Sequence, residues 1–282
     1  MRRGGRNAAL VATAALALGA GGASAQSWRT VTMSRQLSGE GALDVVVKYG
    51  AGRLRVRPTD DGALYRMELR YDEELFEPVA DYGSGTLRLG IEGLGKRIRV
   101  GKDQGEGEME LDLATGIPMD LELDFGAVRA DIDLGGLSMT NLHLRTGASD
   151  SRLDVSSANP GVMSKAKLEV GAADFSARRL GNLNARQIEV SAGVGEVTLE
   201  LTGEWRHDAS VDVDMGLGSL ELVFPEGLGV KLEKKTFLTS LDSEGLIKRG
   251  DAYYSPDWDT ADRRVTVKVE AAFGSIKVFW VR

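Results

Sequence analysis

The chain has no cysteine, two histidines and six prolines among 282 residues. Without cysteine it has no disulfides and no thiolate ligands, so packing alone must hold the fold. The same absence excludes lipidation of a cysteine next to an export cleavage site. The histidines, His143 and His207, stand apart from each other and from any ligand-spaced carboxylate cluster. That argues against a zinc centre or a histidine-based triad. His143 lies in Leu142-His143-Leu144, the outward position of a strand. No apolar run after residue 25 is long enough to span a bilayer, and none holds three-and-four spacing for long. No helix is expected beyond the leader.

The N-terminus carries that leader. Arg2, Arg3 and Arg6 precede an apolar run of small residues, Ala8 to Ala20, and Ala23-Ser24-Ala25 is a small-x-small cleavage site. This is the pattern of a secretory signal peptide over residues 1–25, cleaved after Ala25. Export to the periplasm or the extracellular space is expected, with no membrane span in the mature chain. The formal charge is −7, and loss of three leader arginines and no acids takes it to −10. Such a protein is a poor ligand for nucleic acid or anionic lipid.

What the sequence has in abundance is glycine, 36 residues. Gly126, Gly147, Gly171, Gly193 and Gly216 recur at intervals of 21, 24, 22 and 23 residues. Apolar residues follow each at the fourth, sixth and eighth positions. Gly126 gives Ala130, Ile132 and Leu134; Gly193 gives Val197, Leu199 and Leu201; Gly216 gives Leu220, Leu222 and Phe224. Gly147 places Ser151 first in its set, and Gly171 slips by one, to Leu180. Period-two alternation after a glycine corner is a strand signal, and a fixed period of this length is the mark of stacked repeats. One such unit cannot bury a core, but a stack can. The expected fold is all-β, a solenoid-like stack of short strands. Leu199 should face the core and Glu200 the solvent. Gly50 and Gly83 open further copies, followed by Leu54 and Val56 and by Leu87, Leu89 and Ile91. Gly274 opens a last partial copy with Ile276, Val278 and Trp280. A short strand is expected at Ile98 and Val100.

Motifs that carry chemistry are scarce. Gly193-Val194-Gly195 and Gly216-Leu217-Gly218 lack the Lys-Ser/Thr and the helix of a phosphate loop and read as strand corners. Asp257, Asp259 and Asp262 lack the glycine and closing glutamate of a calcium loop and read as solvated turn acids. Paired carboxylates such as Glu108 and Glu110 say little in a chain with 42 acids.

The corner sequences together are more specific. Leu121-Glu122-Leu123-Asp124-Phe125-Gly126-Ala127, Thr146-Gly147-Ala148-Ser149-Asp150, Gly171-Ala172-Ala173-Asp174, Ala192-Gly193-Val194-Gly195 and Ala272-Phe273-Gly274-Ser275-Ile276 resemble the toast-rack domain. That domain forms the C-terminal part of LiaF-type cell-wall-stress response proteins. The resemblance implies an N-terminal β section over residues 38–115 and a repeat domain over 116–282. It also implies a non-enzymatic scaffold or sensor at the cell envelope, meeting a protein partner or itself, with no cofactor. LiaF-type proteins carry transmembrane helices before the domain, whereas this chain has a signal peptide. The alternatives are a carbohydrate-active enzyme on a β-solenoid and a glycan-binding module. Recognition is expected where the period fails, at Gly245 to Asp262. Tyr253, Tyr254 and Trp258 there form either a contact surface or a cap on the open end of the stack.

Overall fold

The computed structural model describes residues 27–95 and 106–282. The leader and the strand expected at Ile98 and Val100 lie outside the described residues. The described residues begin with strands β1 (Trp28–Gln36), β2 (Leu43–Thr59), β3 (Ala63–Asp72), β4 (Phe76–Gly83), β5 (Thr86–Gly93) and β6 (Glu108–Ala114). The long strands β7 (Pro118–Asp133), β8 (Ser138–Asp154), β9 (Met163–Arg178), β10 (Ala185–Glu200) and β11 (Ala209–Pro225) follow. The last are β12 (Gly229–Thr236), β13 (Thr239–Asp242), β14 (Ile247–Arg249), β15 (Ala252–Tyr254) and β16 (Arg264–Val281). Among the described residues they form one sheet along the path β1-β3-β6-β2-β7-β8-β9-β10-β11-β16-β12-β15-β14.

The units are longer than short strands: each repeat is one strand of 16 to 18 residues bent in the middle. In β7, Met119, Leu121, Leu123 and Phe125 are buried, and then the buried set moves to Val128, Ala130 and Ile132. On a straight strand that odd step would turn the second set outward. A corner at Gly126-Ala127 brings both arms onto the same core. The residues four, six and eight after the corner glycines are buried, including Leu199, except at the slip after Gly171, while Glu200 is half-exposed and pairs with Arg178. The slip after Gly171 has a local cause. Arg179 takes left-handed angles (φ 54°) and starts a 3-10 turn, Leu180–Leu183, that delays the next inward residue.

The bent strands β2, β7, β8, β9, β10, β11 and β16 run parallel, so each residue faces its counterpart in the next coil. Return segments close the third side of each coil and bury Leu134, Leu137, Leu180, Leu183 and Leu201. Buried asparagines fasten these segments to one another. Asn159 bonds Met139 and Leu183 from the coils before and after it, and the Asn182 amide donates to the Val155 carbonyl at 2.8 Å. One continuous apolar core runs from Leu43 to Val278.

The ends are built differently. On the N-terminal side, β5 and β6 pair with the two arms of β2, β4 pairs with β5, and β3 and β1 extend from β6. Gly83 therefore closes the β4–β5 hairpin and is not the corner of a coil, a correction to the expected repeat. Leu87 and Leu89 are nonetheless buried, because strand alternation does not depend on whether a hairpin or a corner precedes it. On the other side the chain order is broken. The C-terminal strand β16 inserts between β11 and an outermost coil made of β12 and β13, which turns at Phe237-Leu238.

Ser151 departs from the apolar rule. It lies between Ala130 and Phe175 of the neighbouring coils, and its buried hydroxyl has no partner. A buried hydroxyl without a bond costs stability, so Ser151→Ala should add about 1 kcal/mol. Urea melts measure this, and a loss of stability would mean that the hydroxyl has found a bond in solution.

Candidate functional surface

The corner is where the molecule departs from an ordinary charged surface. The outer faces of the arms are ion-paired across coils. Arg145 meets Asp124 at 3.1 Å, Lys165 meets Glu189 at 2.6 Å and Lys235 meets Glu270 at 3.1 Å. Lys167 and His143 hydrogen-bond Glu169 and hold its carboxyl below the usual range. Each exposed pair contributes little to stability, but together they keep the arms hydrated.

Between the arms, the corner glycines stack in one column. A Cβ at Gly126 would stand 2.4 Å from the Gly50 carbonyl oxygen, and one at Gly216 would stand 2.5 Å from that of Gly193. Close coil-to-coil approach therefore demands glycine at Gly126 and Gly216. Gly274 does not belong to this column. The register pairs it with Gly218, and Ala272, between the pairs Met215–Ala271 and Leu217–Phe273, takes the first position opposite Gly216. The expected last corner is corrected by two residues.

The residue after each first-column position points outward. The row begins with Ala51, Ala127, Ala148 and Ala172 and continues with Val194, Leu217 and Phe273. The outermost coil adds Phe237 and Leu238 at its turn. These last five are 45% to 72% exposed, and Phe237 meets Phe273 edge-on at 5.9 Å. A shallow groove of about 980 Å³ runs along the arm side of the row, with Gly171, Gly193 and Gly216 in its lining. Exposed large apolar side chains in a contiguous row mark interaction sites. The sequence reading did not single out this row. Its signal was the residue behind each corner glycine, which grows from alanine to valine to leucine toward the C-terminus.

The aromatics expected to carry recognition lie elsewhere, at the end of the stack. β15 pairs antiparallel with β12, and Tyr253 packs against the end of the core opposite Leu232. Tyr254 meets Trp258 edge-on at 5.4 Å, with Arg249 over Tyr254 and Arg264 over Trp258. Ser255, fully buried, accepts from the Val230 amide and donates to the Leu228 carbonyl. All three aromatics are half-buried. Of the nearby acids, Asp259 is paired with Arg249, and the Asp257 backbone carbonyl accepts from the Thr260 and Ala261 amides.

A second hollow, about 500 Å³, lies at the other end beside Tyr49, Tyr71 and Phe76. Burial, then the charges of Glu106 and Glu108, push the Tyr49 phenol up, so it stays neutral. His143 is bonded to Glu169 and His207 to backbone oxygens. Among the described residues no three His, Cys, Asp or Glu side chains gather as a metal site, and no helix is long and apolar enough to cross a membrane.

The fold defines a class: a parallel β-solenoid of bent strands with an apolar row along one corner. Residues 23–176 and 159–223 match the family described as the N-terminal domain of toast_rack, DUF2154, and the chain belongs to that family. Two solved structures are similar. One is a provisionally named cell adhesion protein from Clostridium sporogenes, with 17% identity and a TM-score of 0.46 over 90% of this chain and 100% of that one. The other is a provisionally named adhesin from Bacteroides fragilis, with 15% identity and a TM-score of 0.40 over 90% of this chain and 98% of that one. No curated protein matches the chain in sequence.

Proposed function

We propose that this is a non-enzymatic, exported scaffold or sensor of the cell envelope that works by surface contact. The observation that carries the reading is the exposed row Val194, Leu217, Phe273, Phe237 and Leu238 beside ion-paired arms. The leader pattern and the toast-rack family support the envelope setting. On this reading Tyr253, Tyr254 and Trp258 cover the end of the core, and recognition lies at the corner.

A photo-reactive side chain placed at Leu217, and another at Thr198 on the arm, tests the proposal in intact envelopes. Crosslinks are expected from position 217 and not from position 198. Equal yields, or none, would remove the corner as the contact surface. Release of reducing ends from a panel of envelope polysaccharides would overturn the non-enzymatic reading and favour a carbohydrate-active enzyme.

A further inference from the structure

The row ends in a turn that exposes two large apolar side chains by construction. Phe237 and Leu238 are the most exposed large apolar residues among those described. The turn is held on both sides. The Phe237 amide donates to the Ala271 carbonyl at 3.1 Å, and the Thr239 hydroxyl donates to the Phe237 carbonyl at 3.1 Å. Leu238 takes a left-handed conformation (φ 48°) that a leucine reaches only at a cost. Backbone strain that contributes nothing to the core points to use elsewhere.

Three observations select the occupant. The apolar strip is one residue wide and sits on a convex corner, between glycine columns. A stable dimer needs about 800 Å² per partner, which such a strip does not offer. Strand addition at the ends of the sheet is disfavoured too. Arg29 and Arg35 of β1 share the face of Val31 and Met33, and β14 is three residues long with two of them basic. Exposed charges on an edge strand and short basic strands blunt an edge. Finally, the flanks carry Asp214 and Glu196, both exposed, and the exposed Lys235 beside the turn is paired with Glu270, on a chain that is acidic overall. This charge opposes an anionic surface. A narrow convex wedge of Phe and Leu with polar neighbours suits the boundary between headgroups and acyl chains of a neutral bilayer.

We infer that the Phe237-Leu238 turn, with Phe273 and Leu217 behind it, is a wedge that inserts into zwitterionic lipid membrane. The inference rests on the contact reading above and gives the row its partner.

Flotation of the chain as the cell exports it, with phosphatidylcholine vesicles at millimolar lipid, tests this. Co-flotation that persists in high salt is expected. Phe237→Ser/Leu238→Ser should lower the floated fraction at least fivefold with an unchanged thermal melt. A Phe237→Trp variant should shift its added emission to the blue when vesicles are present. Three results would overturn the inference. One is no flotation on phosphatidylcholine. Another is flotation only on phosphatidylglycerol vesicles, lost in salt. The third is a dimer in sedimentation that the double serine change dissociates, which makes a second copy the occupant. Crosslinking from position 217 without flotation would sink the lipid wedge and leave the contact reading standing; its absence would remove both.

Discussion

Gly218→Ala should lose at least about 3 kcal/mol of unfolding free energy, because two independent penalties fall on one methyl group. The first is conformational. Gly218 has φ 142°, a region that residues with a side chain avoid. The second is steric. A Cβ there would stand 1.8 Å from the Gly195 carbonyl oxygen. That oxygen belongs to backbone and has nowhere to move, since Gly195 lies as tightly on Ala173. Relief would require parting the parallel ladder of β10 and β11. Gly227 separates the two penalties: it also has a positive φ (83°) but has open space around its Cβ position. Gly227→Ala should therefore cost only about 1–2 kcal/mol. Urea melts of the two variants settle the matter. Equal losses would mean that coil spacing does not dictate glycine at the corner.

Much of the stack was legible because it is periodic. Spacing between Gly126 and Gly216, with apolar residues at fixed offsets, placed the inward residues on five successive coils. What failed depended on pairing between distant segments. Gly83 precedes the same alternation as a corner glycine, and only its pairing with Thr86 across the β4–β5 turn tells a hairpin from a corner. The displacement at Gly274 was present in the sequence. Its apolar residues come two, four and six later, so counting back four from Ile276 reaches Ala272. The insertion of β16 inside β12 could not be read, because both are alternating strands and nothing local orders them. The corner row escaped notice for a different reason. A glycine followed by a small apolar residue reads as turn chemistry, and only the register shows that Val194, Leu217 and Phe273 stand in line.

Asn159→Ala should cost roughly 3–5 kcal/mol, more than a surface change and comparable with loss of a core leucine. The side chain is fully buried on the return side of the stack. Its carbonyl oxygen accepts from the Met139 amide at 3.0 Å. Its amide nitrogen donates to the Met139 carbonyl at 2.8 Å and to the Leu183 carbonyl at 3.1 Å. Met139 opens β8 on one side and Leu183 lies in the 3-10 turn of the following coil, so one side chain ties the return segment to the coils on both sides. Truncation leaves an N–H and two carbonyls buried without partners, at about 1–3 kcal/mol each before any water enters. Asn159→Asp sharpens the test. The introduced carboxyl keeps the acceptor, loses the donors and faces two carbonyl oxygens in a buried site. Burial raises its folded pKa above the unfolded value, so this variant should be most stable at acid pH and weaken as pH rises through the raised pKa. Chemical melts of the three proteins across pH give the answer. A loss below about 1 kcal/mol for Asn159→Ala would show that water replaces the amide, and that the return side is not fastened by asparagine.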